Sequence, residues 1–193
     1  MALPKEYVAY LAAEMVEGLA KSGKVILHDR AAAGEKIRQV ILDDFAQEER
    51  LNQEVRDYLE KYSAQIRRDA ISYQEMYKLV KKELMKKYKI VTSSRPAADG
   101  SKLSRDKVIE LSHRLIKEFA AMRGQIELVE EKNEVRLEIV RQFQALLRAE
   151  YEMDQSVRQK IRSQRREIAE GSAEWDILFR KYYADEMRKL GVA

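Results

Sequence analysis

The stretch LPKEYVAYLAAEMVEGL, residues 3–19, decides the fold because a similar stretch, LSRDKVIELSHRLIKEF, follows at residues 103–119. In both stretches the apolar residues recur every three or four positions, which is the period of an amphipathic α-helix. The aligned apolar residues are Val8, Leu11, Met15 and Leu19 in the first stretch and Val108, Leu111, Leu115 and Phe119 in the second. The recurrence predicts that the chain contains two copies of one helical unit.

The similarity continues downstream with an offset of 102 instead of 100. RLNQEVRDYLEKY at residues 50–62 aligns with EMDQSVRQKIRSQ at residues 152–164. Short loop insertions produce such a drift of two residues. Few positions are identical, so chance agreement between two generic amphipathic helices is the alternative to duplication.

Residues 92–102, TSSRPAADGSK, separate the two copies. Pro96, Gly100 and four Ser or Thr residues in this short span are typical of a flexible linker without a core of its own. The predicted organisation is therefore a first helical unit at 1–91, a linker at 92–102 and a second helical unit at 103–193.

Each unit is predicted to contain a short, a long and a short helix. The long helix covers about residues 30–68, and no Gly or Pro interrupts residues 35–69 or 125–170. One helix of roughly 35–40 residues would measure roughly 50–60 Å. A polar stretch near residues 47–50 leaves open a kink or a tight hairpin, but a continuous helix is preferred. The last helices are placed at about 72–88 and 174–190.

The first helix of each unit has recognisable ends. Pro4 fits the first helical position, and Ser104 is the N-cap expected in the second unit. Gly23 and Gly124 are the expected C-caps. The apolar triplets that follow, at residues 25–27 and 126–128, are interpreted as too short for independent strands and as anchors of the turn. The predicted fold class is all-α: an elongated tandem duplication of a short–long–short three-helix unit, packed as a helical bundle.

The amino-acid composition of the chain limits the fold classes and the kinds of site that it can contain. Hydrophobic residues make up 45% and charged residues 36% of the 193, with 7 Gly and 2 Pro, which favours helices over a β-sandwich or a disordered chain. The chain has no cysteine, which excludes disulfides and thiolate sites. Charges interrupt the N-terminal apolar stretch and no apolar run reaches the ~18 residues of a membrane span, so a cytoplasmic location is expected.

The residues give little indication of catalysis. Glu110-x-x-His113 has the spacing of a di-iron half-site, but the equivalent positions in the first unit are Tyr10 and Ala13, so the pair is interpreted as a surface pair. His28 is interpreted as a turn residue before Asp29, a potential cap of the long helix. The acidic pairs at residues 43–44 and 48–49 are interpreted as solvated helix faces. No catalytic, cofactor-binding or metal-binding residue is predicted, and an enzyme is not expected.

Two basic clusters remain. One consists of the lysines of the third helix, Lys78, Lys81, Lys82, Lys86, Lys87 and Lys89. The other lies near the end of the second long helix and consists of Arg158, Lys160, Arg162, Arg165 and Arg166. Such clusters contact phosphates in nucleic-acid-binding proteins, but they also form at helix C-termini or pair with acids of a neighbouring helix. The candidate anion contacts are Arg158, Arg162, Arg165, Arg166, Lys82 and Lys86.

Three motifs resemble the bacterial domain-of-unknown-function 507 family. They are Leu3-Pro4-Lys5-Glu6-Tyr7, Glu49-Arg50-Leu51-Asn52-x-Glu54-Val55-Arg56 and Tyr73-x-x-Met76. The resemblance covers essentially the full length and implies a helical bacterial protein with no assigned active site. The second copy departs from the pattern at Ser104, Met153 and Asp154, so the resemblance does not imply that the halves are equivalent in function.

The sequence therefore favours a non-catalytic, cytoplasmic protein-interaction protein, an adaptor or scaffold, without a cofactor. The alternative is sequence-independent RNA or DNA binding through the basic helix faces of the second unit. The sequence specifies neither the partner, nor the oligomeric state, nor the relative orientation of the units.

Overall fold

The structure is a computed structural model that describes residues 3–63, 72–92 and 100–191. Over these residues the elements are α1 (Lys5–Ser22), β1 (Val25–Leu27), α2 (Arg30–Lys61), α3 (Tyr73–Tyr88), α4 (Arg105–Ala121), β2 (Ile126–Leu128), α5 (Lys132–Arg162) and α6 (Ala173–Lys189). The all-α class is confirmed. Both halves have the same order of elements, whereas the tandem duplication itself and the elongated shape stay predictions.

The predicted helix ends are mostly confirmed. The Asp29 carboxylate accepts from the backbone N–H of Ala32 at 2.8 Å, and the Ser104 hydroxyl accepts from that of Lys107 at 3.3 Å. Gly23 closes α1 in the left-handed conformation, with φ of 69°. The prediction for Gly124 is wrong, because α4 ends at Ala121 and its C-cap is Met122. The Met122 carbonyl accepts from the backbone N–H groups of Gln125 and Ile126, and Gly124 lies within this turn.

Both long helices are continuous. α2 has 32 residues and α5 has 31, so the hairpin alternative near residues 47–50 is wrong. At 1.5 Å per residue each helix measures about 47 Å. α5 ends at Arg162, and Glu170 of the segment that follows pairs with Arg158 and Arg162 of α5. The predicted continuation of α2 to residue 68 extends beyond residue 63, outside the described residues.

The apolar triplets form strands, which the sequence reading excluded. β1 and β2 pair with each other in an antiparallel sheet, with Val25 opposite Leu128, Ile26 opposite Glu127 and Leu27 opposite Ile126. The expectation that they only anchor a turn is therefore wrong. Each triplet is too short alone but finds its hydrogen-bonding partner in the other half of the chain.

If 101 is added to the residue numbers of β1 and subtracted from those of β2, the same three residue pairs are obtained. The same holds for the flanking bonds, because His28 N–H donates to Gln125 C=O at 2.9 Å and Val129 N–H donates to Lys24 C=O at 3.0 Å. This reciprocity is that of a two-fold contact. The two strands are therefore related by a local two-fold axis between Ile26 and Glu127, as in any antiparallel pair.

The two halves share one hydrophobic core. A single cluster of buried side chains includes Leu11 and Ile37 from the first half and Leu111 and Phe143 from the second. α1 and α4 each pack on both long helices. The predicted unit boundaries stay a prediction, but the buried core is common to both units. Of the predicted linker, residues 93–99 lie outside the described residues, whereas Thr92 and Ser101 are buried.

The last helices of the two halves pack differently. α6 contributes Trp175, Tyr183 and Met187 to the common core. α3 has no fully buried residue and packs partly buried side chains onto Val55 and Leu59 in a separate small cluster. We call residues 51–61 of α2, its C-cap Tyr62 and α3 together the α2–α3 arm. No helix among the described residues combines the length and apolar composition needed to cross a membrane.

Candidate functional site

Exposed apolar side chains are concentrated on the α2–α3 arm. Of the ten large exposed hydrophobic residues in the described part of the chain, the arm carries five, namely Tyr58, Tyr62, Tyr73, Leu79 and Tyr88. The rings of Tyr58 and Tyr62 lie against each other, with 4.7 Å between their centroids. Within the described residues each of these side chains is at least 38% exposed, so they are available for contact with another molecule.

A groove runs beside the arm, and we call it the α2 groove. Its volume is about 670 Å³. It is lined by Asp43, Gln47, Arg50, Leu51 and Glu54 of α2, by Tyr88 and Ile90 at the end of α3, and by Arg114 of α4. The α2 residues follow helical spacing, so they form one face, and Tyr58 continues that face one turn further. The Tyr88 hydroxyl donates to Glu54 Oε1 at 2.7 Å and holds the end of α3 at the groove.

A buried charge cluster lies next to the groove. Asp44 is 2% exposed and Lys107 is 1% exposed, and Lys107 Nζ donates to Asp44 Oδ1 at 2.7 Å. Arg114, which also lines the groove, donates to the same oxygen at 3.0 Å. The interpretation of residues 43–44 as a solvated face is therefore correct for the exposed Asp43 and wrong for Asp44. Position 44 faces α4 of the other half, a contact that the helix periodicity of α2 alone could not reveal.

Glu110 belongs to the same cluster. Its carboxylate lies 3.9 Å from Lys107 Nζ and 3.7 Å from Arg114 Nη1. Burial raises the pKa of Glu110, the charge of Asp44 raises it further, and the two cations lower it. The interpretation of Glu110 and His113 as a surface pair holds for the exposed His113, but Glu110 is partly buried.

Sequence reasoning missed Lys107, although a signal was present. With the offset of 100, Lys107 occupies the position of Tyr7, whose side chain is buried. A lysine at a buried position of an apolar stripe requires a buried acid as partner. The comparison of the two copies could therefore have predicted an ion pair here.

A second buried cluster docks the segment before α4 onto α5. Glu150 is fully buried, and it accepts from Lys102 Nζ and from the Tyr183 hydroxyl, the latter at 3.0 Å. Lys102 also lies 3.4 Å from Asp154. Burial raises the pKa of Tyr183, and the neighbouring Glu150 carboxylate raises it further. These contacts fix residues 100–103 on the core, and we assign them a structural role.

The predicted arginine contacts at and after the end of α5 mostly form ion pairs with acids of the chain itself. Arg158 pairs with Asp154 and Glu170, and its hydrogen bond to Asp154 raises its pKa. Arg162 pairs with the same Glu170 at 2.8 Å. Arg166 pairs with Glu174 of α6 at 3.1 Å, and Arg165 is exposed. This is the pairing with acids of a neighbouring segment that the sequence left as an alternative to phosphate contacts.

The predicted contacts on α3 are placed differently. Lys82 and Lys86 are both exposed, and Lys86 lies 3.0 Å from Glu83 of the same helix. Neither lysine lines the α2 groove, but both belong to the arm that borders it. The structure thus separates the candidate contacts into two groups. One is an arginine group at and after the end of α5, of which Arg158, Arg162 and Arg166 pair with acids, and the other is a lysine group on the surface of α3.

In the described ranges no group of three or more His, Asp or Glu side chains is placed so that it could bind a metal ion. His28 lies 3.5 Å from Glu127, across the small sheet and on the surface.

A family model described as Protein of unknown function (DUF507) matches residues 1–192. No curated protein matches the chain.

Proposed function

We propose that this chain, which belongs to the DUF507 family of proteins of unknown function, is a non-catalytic protein-interaction protein that serves in the cytoplasm as an adaptor or scaffold. Its docking site is the α2 groove. The observation that carries the proposal is the coincidence of a concave groove with the exposed tyrosines of the arm.

The composition of the groove supports a protein partner. Tyrosines present a large apolar surface with a hydroxyl that can remain hydrated, which is why they are enriched at protein interfaces. Tyr58 and Tyr88 are 45% and 41% exposed and flank the groove. Arg50 and Asp43 add charges of both signs at its wall. A polypeptide offers side chains of both signs and backbone groups, and so can satisfy such a mixed surface.

The same residues argue against catalysis in the groove. Its carboxylates, Asp43 and Glu54, lie eleven positions apart on one straight helix, which is about 16 Å along the axis. Two carboxylates that share a reaction must reach one substrate atom, which this separation prevents. Arg114 is already bound to Asp44, and Glu54 to the Tyr88 hydroxyl.

The nucleic-acid alternative stays a prediction, and the geometry favours it less. Three of its arginines are held by carboxylates of Asp154, Glu170 and Glu174. A phosphate would have to displace these intramolecular partners, which reduces the gain from counterion release.

The test is site-specific photo-cross-linking in the native cells. The photoreactive amino acid benzoylphenylalanine replaces Tyr58 of the full-length chain, and in a matched control it replaces Ile177, which is 64% exposed on α6. We expect a discrete protein adduct from position 58 that position 177 does not give. Identical adducts from both positions, or adducts only with nucleic acid, would contradict the proposal.

A further inference from the structure

We infer that α3 is a displaceable cover, and that the partner binds by placing an amphipathic helix with basic or hydroxyl side chains where α3 now lies on α2. This inference rests on the proposed function. It adds the class of the partner segment and a device that regulates access to the site.

The apolar row beneath α3 continues the base of the α2 groove. Leu51 is buried at that base, and Val55 and Leu59 follow at intervals of four residues, so the three form one row on α2. Val55 and Leu59 are buried outside the common core. Among the described residues, the partly buried apolar side chains that pack on them all belong to α3, and they are Met76, Tyr77, Val80 and Leu84. Displacement of α3 would therefore open a row that spans eight steps of α2, or about 12 Å.

α3 is held less firmly than its counterpart α6. With the offset of 102, Tyr73 of α3 aligns with Trp175 of α6, and their side chains are 54% and 4% exposed. α6 buries three side chains in the common core, whereas α3 buries none completely. Because packing of an apolar face supplies most of the stability of a helix in a protein, α3 should separate from α2 more readily than α6 from the core.

The ends of α3 are also less well stabilised. The Ser172 hydroxyl accepts from the backbone N–H of Trp175 at 3.2 Å and caps α6, whereas Ser72 makes no side-chain cap bond at the start of α3. At the other end of α3, Lys89 has a φ of 54° and is the only non-glycine residue with a positive φ among the described residues. This left-handed conformation costs energy in a residue other than glycine. Both ends therefore favour opening of α3.

The polar contacts of α3 indicate which chemistry the row accepts. Lys81 Nζ lies 4.0 Å from Glu48, and the Tyr88 hydroxyl donates to Glu54 Oε1 at 2.7 Å. Two carboxylates of α2 thus lie next to the row, and α3 presents an ammonium and a hydroxyl to them. A helix that replaces α3 must combine apolar residues at four-residue intervals with cations or hydroxyl donors beside them. An acidic helix, a nucleic acid or an anionic membrane would bring negative charge against these same carboxylates.

The tether makes α3 a competitor of the partner helix. Because α3 is part of the same chain, it meets the row at a high effective concentration. The apparent affinity for a partner helix is reduced to the extent that α3 stays in place. A substitution that loosens α3 without altering the row should therefore strengthen the binding of such a helix.

Hydrogen exchange measured by mass spectrometry tests the first part of the inference on the unaltered full-length chain. After correction for the intrinsic exchange rates, we expect the amides of α3 to exchange at least about tenfold faster than those of α6. Equal protection of the two helices would overturn the inference, because α3 would then be held as firmly as a helix of the core.

A peptide tests the second part. A labelled peptide with the sequence of residues 72–90 is the probe, and a peptide of the same composition in scrambled order is its control. Leu84→Asp in the full-length chain removes a side chain that packs on the row, whereas Leu79→Asp changes a 58% exposed position of the same helix. We expect fluorescence anisotropy to show that the probe binds Leu84→Asp at least about tenfold more tightly than Leu79→Asp or the original chain. Equal affinity for the two variants, no binding to Leu84→Asp, or equal binding of the scrambled peptide would overturn the inference.

Failure of the inference can be distinguished from failure of the proposed function. A protein adduct at position 58, together with equal affinity of the probe for the two variants, would leave the proposed function standing and overturn the inference. Preferential binding of the probe to Leu84→Asp, without a protein adduct at position 58, would contradict the proposed function but not the displacement of α3.

Discussion

Replacement of Lys107 by Met should destabilise the protein far more than a surface substitution would. Lys107 and Asp44 are 1% and 2% exposed and form a 2.7 Å ion pair, and Asp44 Oδ2 has no hydrogen-bond partner among the described residues. Removing one partner of a buried pair costs about 3–5 kcal/mol, because the other charge stays buried. Arg114 remains bound to Asp44 at 3.0 Å, so we expect about 3 kcal/mol, the lower end.

The alignment of the two halves suggests a second substitution that should restore the lost stability. Lys107 corresponds to Tyr7 with the offset of 100, and Asp44 corresponds to Leu146 with the offset of 102. In the structure the Tyr7 hydroxyl donates to the Leu146 carbonyl at 2.6 Å. The double variant Lys107→Tyr with Asp44→Leu copies that contact into the other half. We expect its stability to lie within about 1–2 kcal/mol of the original, as for other apolar replacements of buried ion pairs.

Urea unfolding followed by far-ultraviolet circular dichroism measures both effects. Lys36→Met, which removes a more exposed pair with Glu118 at 3.4 Å, is the control and should cost less than about 1 kcal/mol. The reasoning is refuted if Lys107→Met costs no more than this control. It is also refuted if the double variant is no more stable than Lys107→Met alone, because the two contacts would then not be equivalent.

Two further predictions concern the other buried charges. Burial raises the pKa of Glu110 in the folded state. The stability that the protonated Glu110 contributes is therefore fully present below the pKa that Glu110 has in the unfolded chain, and it is lost as the pH rises through the pKa of Glu110 in the folded state. Glu110→Gln should therefore be more stable than the original protein at neutral pH and lose this advantage in acid. Urea unfolding at several pH values checks this prediction. A stability difference that does not change with pH would contradict it. Lys102→Met leaves Glu150 and Asp154 without their shared cation and should cost about 3 kcal/mol. Thermal unfolding checks this, with Lys24→Met, which removes an exposed pair, as the control; equal losses in both would contradict it.

The helices could be predicted from the sequence because their signals are local. The apolar stripe of residues 3–19 and the Asp29 cap depend on neighbours within a few positions, and both are found where expected. The continuity of α2 follows from the absence of Gly and Pro after residue 34, and its polar middle is accommodated without a hairpin. Periodicity and caps therefore sufficed for the elements of secondary structure.

Contacts between the halves could not be predicted in this way. The partner of Asp44 is 63 positions away in the sequence, and the strand partner of Val25 is more than a hundred positions away. One helical face cannot indicate which distant element covers it. For the same reason the ion pairs of Arg158 and Arg162 could not be predicted. Their partner Glu170 lies beyond the end of α5, and the segment after the helix folds back to bring it to them.

The candidate groove depends on three separate segments and so had no local signal either. The lysines of α3 were recognised as a basic cluster, but Arg114 comes from the other half. Only the structure shows that Tyr58 and Tyr88 remain exposed.

The central claim is that both halves share one core, and the single tryptophan of the chain tests it directly. Trp175 is buried on α6 of the second half, whereas Leu11 is buried on α1 of the first half. Leu11→Ala should cost about 2–5 kcal/mol through the cavity it leaves. If the core is shared, the urea midpoint measured by Trp175 fluorescence must fall together with that measured by circular dichroism. An unchanged fluorescence midpoint, with only the dichroism transition shifted or split, would mean two independent domains and contradict the account.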